Sequence, residues 1–366
     1  MEQKIPTISL CMIVKNEEDV IGRCLDSVQG IVDEIVVVDT GSDDRTKKIV
    51  QKYTSKLYDF PWIDDFSAAR NFAFNVATQD YILWLDADDV ILECDRERFI
   101  LLKNSLTMSV DSVTMHYHLA HDEKGQVTAS LRRNRLVKRS NHFKWIGAVH
   151  EYLEVGGFIV NSDIAITHSA LSHDSDRNLC IYAERMAKGE SFSPRDLYYY
   201  ANELHDHGKH EESIKFYQQF LETKQGWIED NIAACGKLAD SFLALNNLEK
   251  QLEYILKSFT YDAPRAEFCC RLGSYYLQAN ELKQATFWYK IATELDKPAD
   301  CLGMINHAYW TWIPHLQLCV CYDRLGKQDL SYKHNEIAAS FVPDHSAVLY
   351  NRRYFENLSK SSSEDI

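Results

Sequence analysis

The chain has 366 residues, enough for two or three domains with real cores. Hydrophobic residues make up 45% and charged residues 26%, and no uninterrupted apolar segment approaches the length of a membrane span, so none is expected. The formal net charge of -14 excludes a general nucleic-acid binder, because affinity for phosphate backbones comes from clustered Lys and Arg.

MEQKIPTISLCMIV passes directly from polar residues into a strand-like run without a small-residue cleavage site. No signal peptide is therefore expected, and the expected compartment is cytoplasmic. Ten cysteines occur without any CxxC pattern, which reads as reduced, buried small apolar residues rather than disulfides or zinc ligands.

Ile8 to Val14 is a continuous apolar run and predicts a buried parallel strand, broken by Lys15-Asn16-Glu17-Glu18. Val20, Ile21, Cys24, Leu25 and Val28 follow with the period of an amphipathic helix. A second strand, Glu34 to Asp39, ends in an acid, and Thr40 to Asp44 supplies turn residues and caps for a helix over Thr46 to Tyr53. A short strand at Lys56 to Tyr58 and an acidic, aromatic loop lead to Ser67, which can cap a helix from Ala68 to Ala77 and place Arg70 in its first turn. Next, YILWLDADD is an apolar run that ends in Asp86, Asp88 and Asp89.

Strands alternating with helices predict a parallel sheet with right-handed crossovers, and ligands bind such sheets outside the carboxyl ends of the strands. Two carboxylates flanking Ala87 suit a hard divalent cation, which also takes phosphate oxygens; the alternative is a solvated acidic turn. Neither GxGxxG nor GxxxxGK[ST] is present, so a cation on Asp86 and Asp88 would take the place of a glycine cradle.

LCMIVKNEE, VVVDTGSDDRT, DFSAARNFA and WLDADD occur in this order at normal spacing, and together they resemble the family 2 glycosyltransferases of the GT-A fold. The resemblance covers roughly residues 5 to 170. It implies an inverting transferase that uses a nucleotide-diphosphate sugar, with a UDP-sugar favoured, and Mn2+ or Mg2+. It also implies roles. Ile13, Lys15 and Glu17 would lie against the nucleoside, Asp39 would bond the base or ribose, and Arg70 would reach the nucleotide. Asp86-Ala87-Asp88 would be the DxD element, with Asp88 the direct metal ligand and Asp86 nearer the ribose and metal-bound waters. From the residues alone, Asp39 serves equally as a helix cap and Arg70 as a partner of Asp65.

A helix is expected over Asp95 to Asn104. Two antiparallel strands, Asp111 to Leu119 with period-2 alternation and Thr128 to Arg139, should follow, joined by a turn at Glu123-Lys124-Gly125. The second carries Arg132, Arg133, Arg135, Lys138 and Arg139, readable as a solvated edge that resists aggregation or as a contact for donor phosphates or an acidic acceptor. WIGAVHE, ending in His150 and Glu151, resembles the GxVHE element of a subgroup that includes the S-glycosyltransferases of bacteriocin peptides. Inverting transfer needs a base; Glu151 is preferred and His150 comes second, against a purely structural pair. His168 ends a further apolar strand, and the resemblance suggests it as a third metal ligand, with His173 and Asp174 as weaker candidates.

Beyond Asp174 helical patterns replace strands. Gly208, Asn246, Asn280 and Gly326 fall where a tetratricopeptide pattern places the turn between paired helices, and Gly273, Tyr276, Ala285, Tyr289, Ala292 and Pro298 make the third copy the clearest. Such repeats stack into a concave surface that takes partners.

The expected architecture is an α/β, Rossmann-like GT-A domain with a mixed sheet over 1–175, a helical linker over 176–194, an all-α repeat domain over 195–356 and a tail over 357–366. The expected function is a glycosyltransferase acting on a peptide, protein or glycan acceptor, including cell-envelope or lipid-linked glycans. The repeats equally suit pairing of two copies. A non-catalytic repeat scaffold with a degenerate transferase domain is the alternative of another class.

Overall fold

The computed structural model describes residues 5–122, 125–169, 176–298 and 303–364. The chain divides into two units, 1–192 with 301–305 and 193–300 with 306–366.

The first unit opens with β1 (Ile8–Val14), α1 (Ile21–Ser27), β2 (Glu34–Asp39), α2 (Thr46–Val50), β3 (Leu57–Asp59), α3 (Phe66–Val76) and β4 (Tyr81–Trp84). It continues with β5 (Asp89–Val90), α4 (Glu93–Ser105), β6 (Ser112–His121), β7 (Val127–Lys138), β8 (Lys144–Ile146), β9 (Tyr152–Glu154), β10 (Ile159–His168) and α5 (Arg177–Ala187). The main sheet runs β3-β2-β1-β4-β7-β6-β10-β5. Its first four strands are parallel, whereas β7 pairs antiparallel with both β4 and β6. The sheet is therefore mixed, as expected.

The continuous apolar runs are explained by burial on both faces. Leu10, Met12, Val37, Tyr81 and Leu83 pack on one side with Ile21 and Leu25 of α1 and Phe99 of α4. Their alternating neighbours Cys11, Val36, Val38, Ile82 and Trp84 pack on the other with Ala73 and Phe74 of α3 and Trp145 of β8. A period of two on a sheet covered twice leaves no polar position, so the run reads as unbroken. Registers Val14↔Asp39 and Cys11↔Trp84 then bring the chain after β1, β2 and β4 to one edge.

The residues expected as a linker hold α5, whose Tyr182 hydroxyl donates to Val149 O at 3.3 Å within the first unit. The second unit begins at Ser193, which forms a capping box with Asp196 ahead of Pro194. Its helices are α6 (Pro194–Asp206), α7 (His210–Thr223), α8 (Ile228–Ala244), α9 (Leu248–Lys257), α10 (Ala266–Gln278), α11 (Leu282–Glu294), α12 (Trp312–Arg324), α13 (Gln328–Phe341) and α14 (Ser346–Glu364). Gly208, Asn246, Asn280 and Gly326 sit between α6/α7, α8/α9, α10/α11 and α12/α13 with φ of 70°, 55°, 57° and 70°. A left-handed residue reverses the chain after a helix, and Gly and Asn adopt that conformation with least strain. α14 runs through the expected tail as far as Glu364. Among the described residues, no helix is long and apolar enough to cross a membrane, and the nine described cysteines are all unpaired.

Candidate active site

The chain leaving β4 turns sharply and re-enters the sheet as β5. Asp89 N donates to Asp86 O at 3.1 Å and Asp86 N donates to Asp89 Oδ2 at 3.0 Å, so the turn is closed from both sides. Ala87 is 4% exposed, packed into the core beneath. The three acids do not share one environment. The side chains of Asp86 and Asp88 are 34% and 21% exposed, whereas Asp89 is fully buried against Arg135 at 3.0 Å. Asp86 and Asp88 thus reach the surface and Asp89 does not.

β5 is only two residues long, yet it brings His168 to the acids, because it pairs antiparallel with the end of β10 in the register His168↔Asp89. Ser169 N donates to Asp88 O at 2.9 Å and continues the pairing. His168 Nδ1 lies 3.5 Å from Asp88 Oδ1, 3.8 Å from Asp89 Oδ1 and 3.0 Å from the Tyr117 hydroxyl. The carboxylate of Asp88, and then that of Asp89, pushes the imidazole up to about 10.

Arg70 joins this group from α3. Its Nη2 donates to Asp86 Oδ1 at 2.7 Å and its Nε to Glu151 Oε1 at 2.5 Å. The guanidinium lies 5.4 Å and 4.8 Å from the Trp84 and Trp145 ring centroids. Burial opposes its charge, but Asp86 and Glu151 outweigh burial and hold it protonated. Burial likewise acts to raise Asp86, and Arg70 with Arg135 overcomes that and keeps its carboxyl below the usual range.

Two local readings need correction. Asp65, not Ser67, caps α3: its carboxylate accepts from Ala68 N at 3.0 Å and from the Ser67 hydroxyl at 2.7 Å. Arg70 accordingly pairs with Asp86 and Glu151 rather than with Asp65.

Glu151 and His150 part company although adjacent. Glu151 is 10% exposed at Arg70, while His150 adopts a left-handed φ of 51° and its ring lies parallel to Tyr182 at 6.4 Å. Glu17, after β1, is lifted to about 7 by burial and then by Asp88 and Asp86, which places it in the same electrostatic neighbourhood. Asp39 Oδ1 accepts from Gly41 N at 2.9 Å and Ser42 N at 2.8 Å, closing the turn after β2. Its buried Oδ2 has no hydrogen-bond partner among the described residues. Lys15 is exposed at that edge, and Ile13 packs toward α3. His173 and Asp174, like Glu123 and Lys124, lie outside the described residues.

The basic patch on β7 is not an edge. β7 lies between β4 and β6, and Arg135 is 0% exposed. Arg132 donates to Thr114 Oγ1 at 3.1 Å and Ser162 O at 2.8 Å. Sequence shows the charge of a strand residue but not its place in the sheet, so the edge reading misled. For the same reason the sequence did not show that Arg135 and Tyr117 stand beside Asp89 and His168.

Asp88, Asp89 and His168 each offer a ligand atom, and these atoms lie within 4.8 Å of one another. Carboxylate oxygens with one imidazole nitrogen fit a hard or borderline divalent ion.

A mixed α/β sheet with acids at the carboxyl ends of its parallel strands, followed by helix pairs with left-handed turns, defines an α/β domain joined to helical repeats. Residues 9–141 match the family model described as glycosyl transferase family 2, and residues 266–298 match the tetratricopeptide repeat. The first unit thus carries a family 2 glycosyltransferase domain and the second carries tetratricopeptide repeats.

A TPR repeat-containing protein of Synechococcus elongatus is 40% identical over 148 residues, 40% of this chain and 35% of that protein. The SPbeta prophage-derived glycosyltransferase SunS of Bacillus subtilis is 29% identical over 238 residues, 59% of this chain and 53% of SunS. The chain thus spans between about a third and a half of the length of these curated relatives. The solved structure of glucosyl-3-phosphoglycerate synthase from Mycobacterium tuberculosis superposes with a TM-score of 0.36 at 17% identity, covering 51% of this chain and 81% of that one, a likeness too slight to argue from.

Proposed function

We propose that this protein is a metal-dependent inverting glycosyltransferase that moves a sugar from a nucleotide-diphosphate sugar, UDP-linked by preference, to a peptide or protein acceptor. The observation that carries the reading is the convergence of Arg70, Asp86 and Glu151 with Asp88 and His168 beside a parallel sheet edge. Asp88 and His168, with Asp89 adjoining, would hold Mn2+ or Mg2+, and the bound ion would supply positive charge to the departing diphosphate.

The chain's own residues supply the rest. Glu17 and Asp39, with Lys15 and Ile13, line the nucleoside side, and Asp86 faces the ribose. Arg70 fixes Asp86 and Glu151 at a set spacing through one planar group. Glu151 takes the proton of the acceptor hydroxyl or thiol as that atom bonds to the anomeric carbon; the bond to the diphosphate oxygen breaks with its electron pair, and the configuration inverts. His150 is the second choice for this base. The repeats support a protein acceptor, since stacked helix pairs present an extended partner surface.

The test is a thermal-shift screen of UDP- and GDP-sugars with and without Mn2+, followed by assay of nucleotide release. A ligand that binds only the folded state raises its melting point. A UDP-sugar should stabilise the chain only with Mn2+, and UDP release should vanish in Asp88→Ala. No stabilisation and no release with any donor would favour the scaffold alternative.

A further inference from the structure

Arg135 heads the largest fully buried side chains among the described residues, and a buried charge needs a reason. β6 and β7 shift register there: Val113 faces Leu136 and Thr114 faces Asn134, which leaves Arg135 as the extra residue of a bulge. Bulges re-aim side chains, and they collect beside functional sites. This one lies just beyond the last β4–β7 pair, Leu83↔Leu136, where the Asp86–Asp89 turn begins. The guanidinium is clamped between two rings, 3.9 Å from the Trp84 centroid and 4.3 Å from that of Tyr117. From that slot Nη1 reaches Asp89 Oδ2 at 3.0 Å and Trp84 O at 3.3 Å.

Asp89 in turn touches both halves of the acidic group. The oxygen bonded to Arg135 also accepts the Asp86 amide at 3.0 Å, and the other faces His168 Nδ1 at 3.8 Å. Replacing a buried ion pair with apolar residues is often neutral or stabilising, so stability alone does not explain why one stands here. Position does. A plate held between two aromatic faces allows Asp89 one orientation, and Asp89 then sets Asp86 and His168 on either side of Asp88.

We infer that Arg135 is a positioning residue, which acts through Asp89 to hold Asp86, Asp88 and His168 in the geometry that receives a divalent cation. The inference rests on the metal-dependent reading above, and it assigns Asp89 to Arg135 and the turn rather than to the ion. A lysine keeps the charge but cannot fill a planar slot between rings. An asparagine at 89 keeps an acceptor for the Asp86 amide and loses the ion pair.

The experiment titrates Mn2+ into the full chain, alone and with UDP, and follows loss of the free-ion paramagnetic resonance signal. Changes in groups that orient metal ligands typically cost 10- to 100-fold in affinity, so Arg135→Lys and Asp89→Asn should each need roughly 10- to 100-fold more Mn2+ for half-saturation. The core truncation Met115→Ala, which lowers the melting point through packing alone, should leave that half-saturation unchanged. Wild-type Mn2+ affinity in folded Arg135→Lys and Asp89→Asn would overturn the inference while sparing the metal site. No Mn2+ uptake by the wild-type chain would overturn both. If Arg135→Lys does not fold, Arg135→Gln decides the matter by the same measurement, since Asp89 itself offers a ligand atom.

Discussion

Arg70 divides one guanidinium between two carboxylates that arrive from different parts of the chain, Asp86 after β4 and Glu151 after β8. A lysine at 70 carries the same charge at a single point, so it can hold one carboxylate but not fix the spacing of both. Donor turnover in Arg70→Lys should therefore fall on the order of 100-fold, a loss typical of removing one preorganised electrostatic group, with kcat rather than the Mn2+ half-saturation bearing most of it. A steady-state comparison of the two quantities checks this. A different residue pair sets a pH dependence in the repeats. His315 Nδ1 and His334 Nδ1 face each other at 2.9 Å, so one must donate and the other accept, and the two cannot both carry a proton there. Burial, and then His315, depress His334 to about 4. In the unfolded chain it titrates near 6.5. Between those values the unfolded state binds more protons, so this stabilisation is complete above about pH 6.5 and is lost as pH falls toward about 4. Melting curves from pH 4 to 8 should show stability rising with pH across that window, and His334→Gln should flatten the rise.

Element packing makes its own demands, most sharply where α10 meets α11. A Cβ on Gly273 would sit 2.7 Å from the Tyr289 ring, and Tyr289 is 1% exposed. Gly273→Ala should gain helix propensity but lose more to overpacking, a net destabilisation of about 1–2 kcal/mol that a denaturant midpoint would report while Mn2+ binding stays unchanged. Gly273, Ala285 and Tyr289 were legible in the sequence as repeat positions, whereas their packing against one another shows only in the helix pair. The turn residues Gly208, Asn246, Asn280 and Gly326 were legible for a local reason: a left-handed residue leaves a mark on composition at one position. The parallel strands were legible through their unbroken apolar runs. What stayed hidden depends on partners remote in sequence. Asp88 meets His168 only through the β5–β10 pairing, and the bulge at Arg135 shows only once β6 and β7 are aligned. Nothing in YILWLDADD separates the buried Asp89 from the partly exposed Asp86, and family resemblance rather than periodicity pointed to His168.

For the whole molecule, the formal charge of -14 acts on ligands of opposite sign in opposite ways. A divalent cation approaching the acidic edge is drawn in by the overall field, whereas a nucleotide diphosphate alone is repelled by it and meets attraction close to cations of the site such as Arg70 and Arg135. Arg70 is already committed to Asp86 and Glu151, and Arg135 to Asp89, so neither is a bare phosphate receptor. The nucleotide should bind appreciably only when the cation binds with it or before it, since the pair presents little net charge to the field. Salt separates these contributions, because exposed charges are screened over about 10 Å at 0.1 M ionic strength. Raising the salt from about 20 to 200 mM should weaken Mn2+ binding several-fold and leave the affinity for UDP at saturating Mn2+ nearly unchanged. Calorimetric titration of Mn2+, and of UDP with Mn2+ present, at both salt levels tests the argument. Equal salt sensitivity of the two titrations would mean that local cations rather than the overall field govern donor capture.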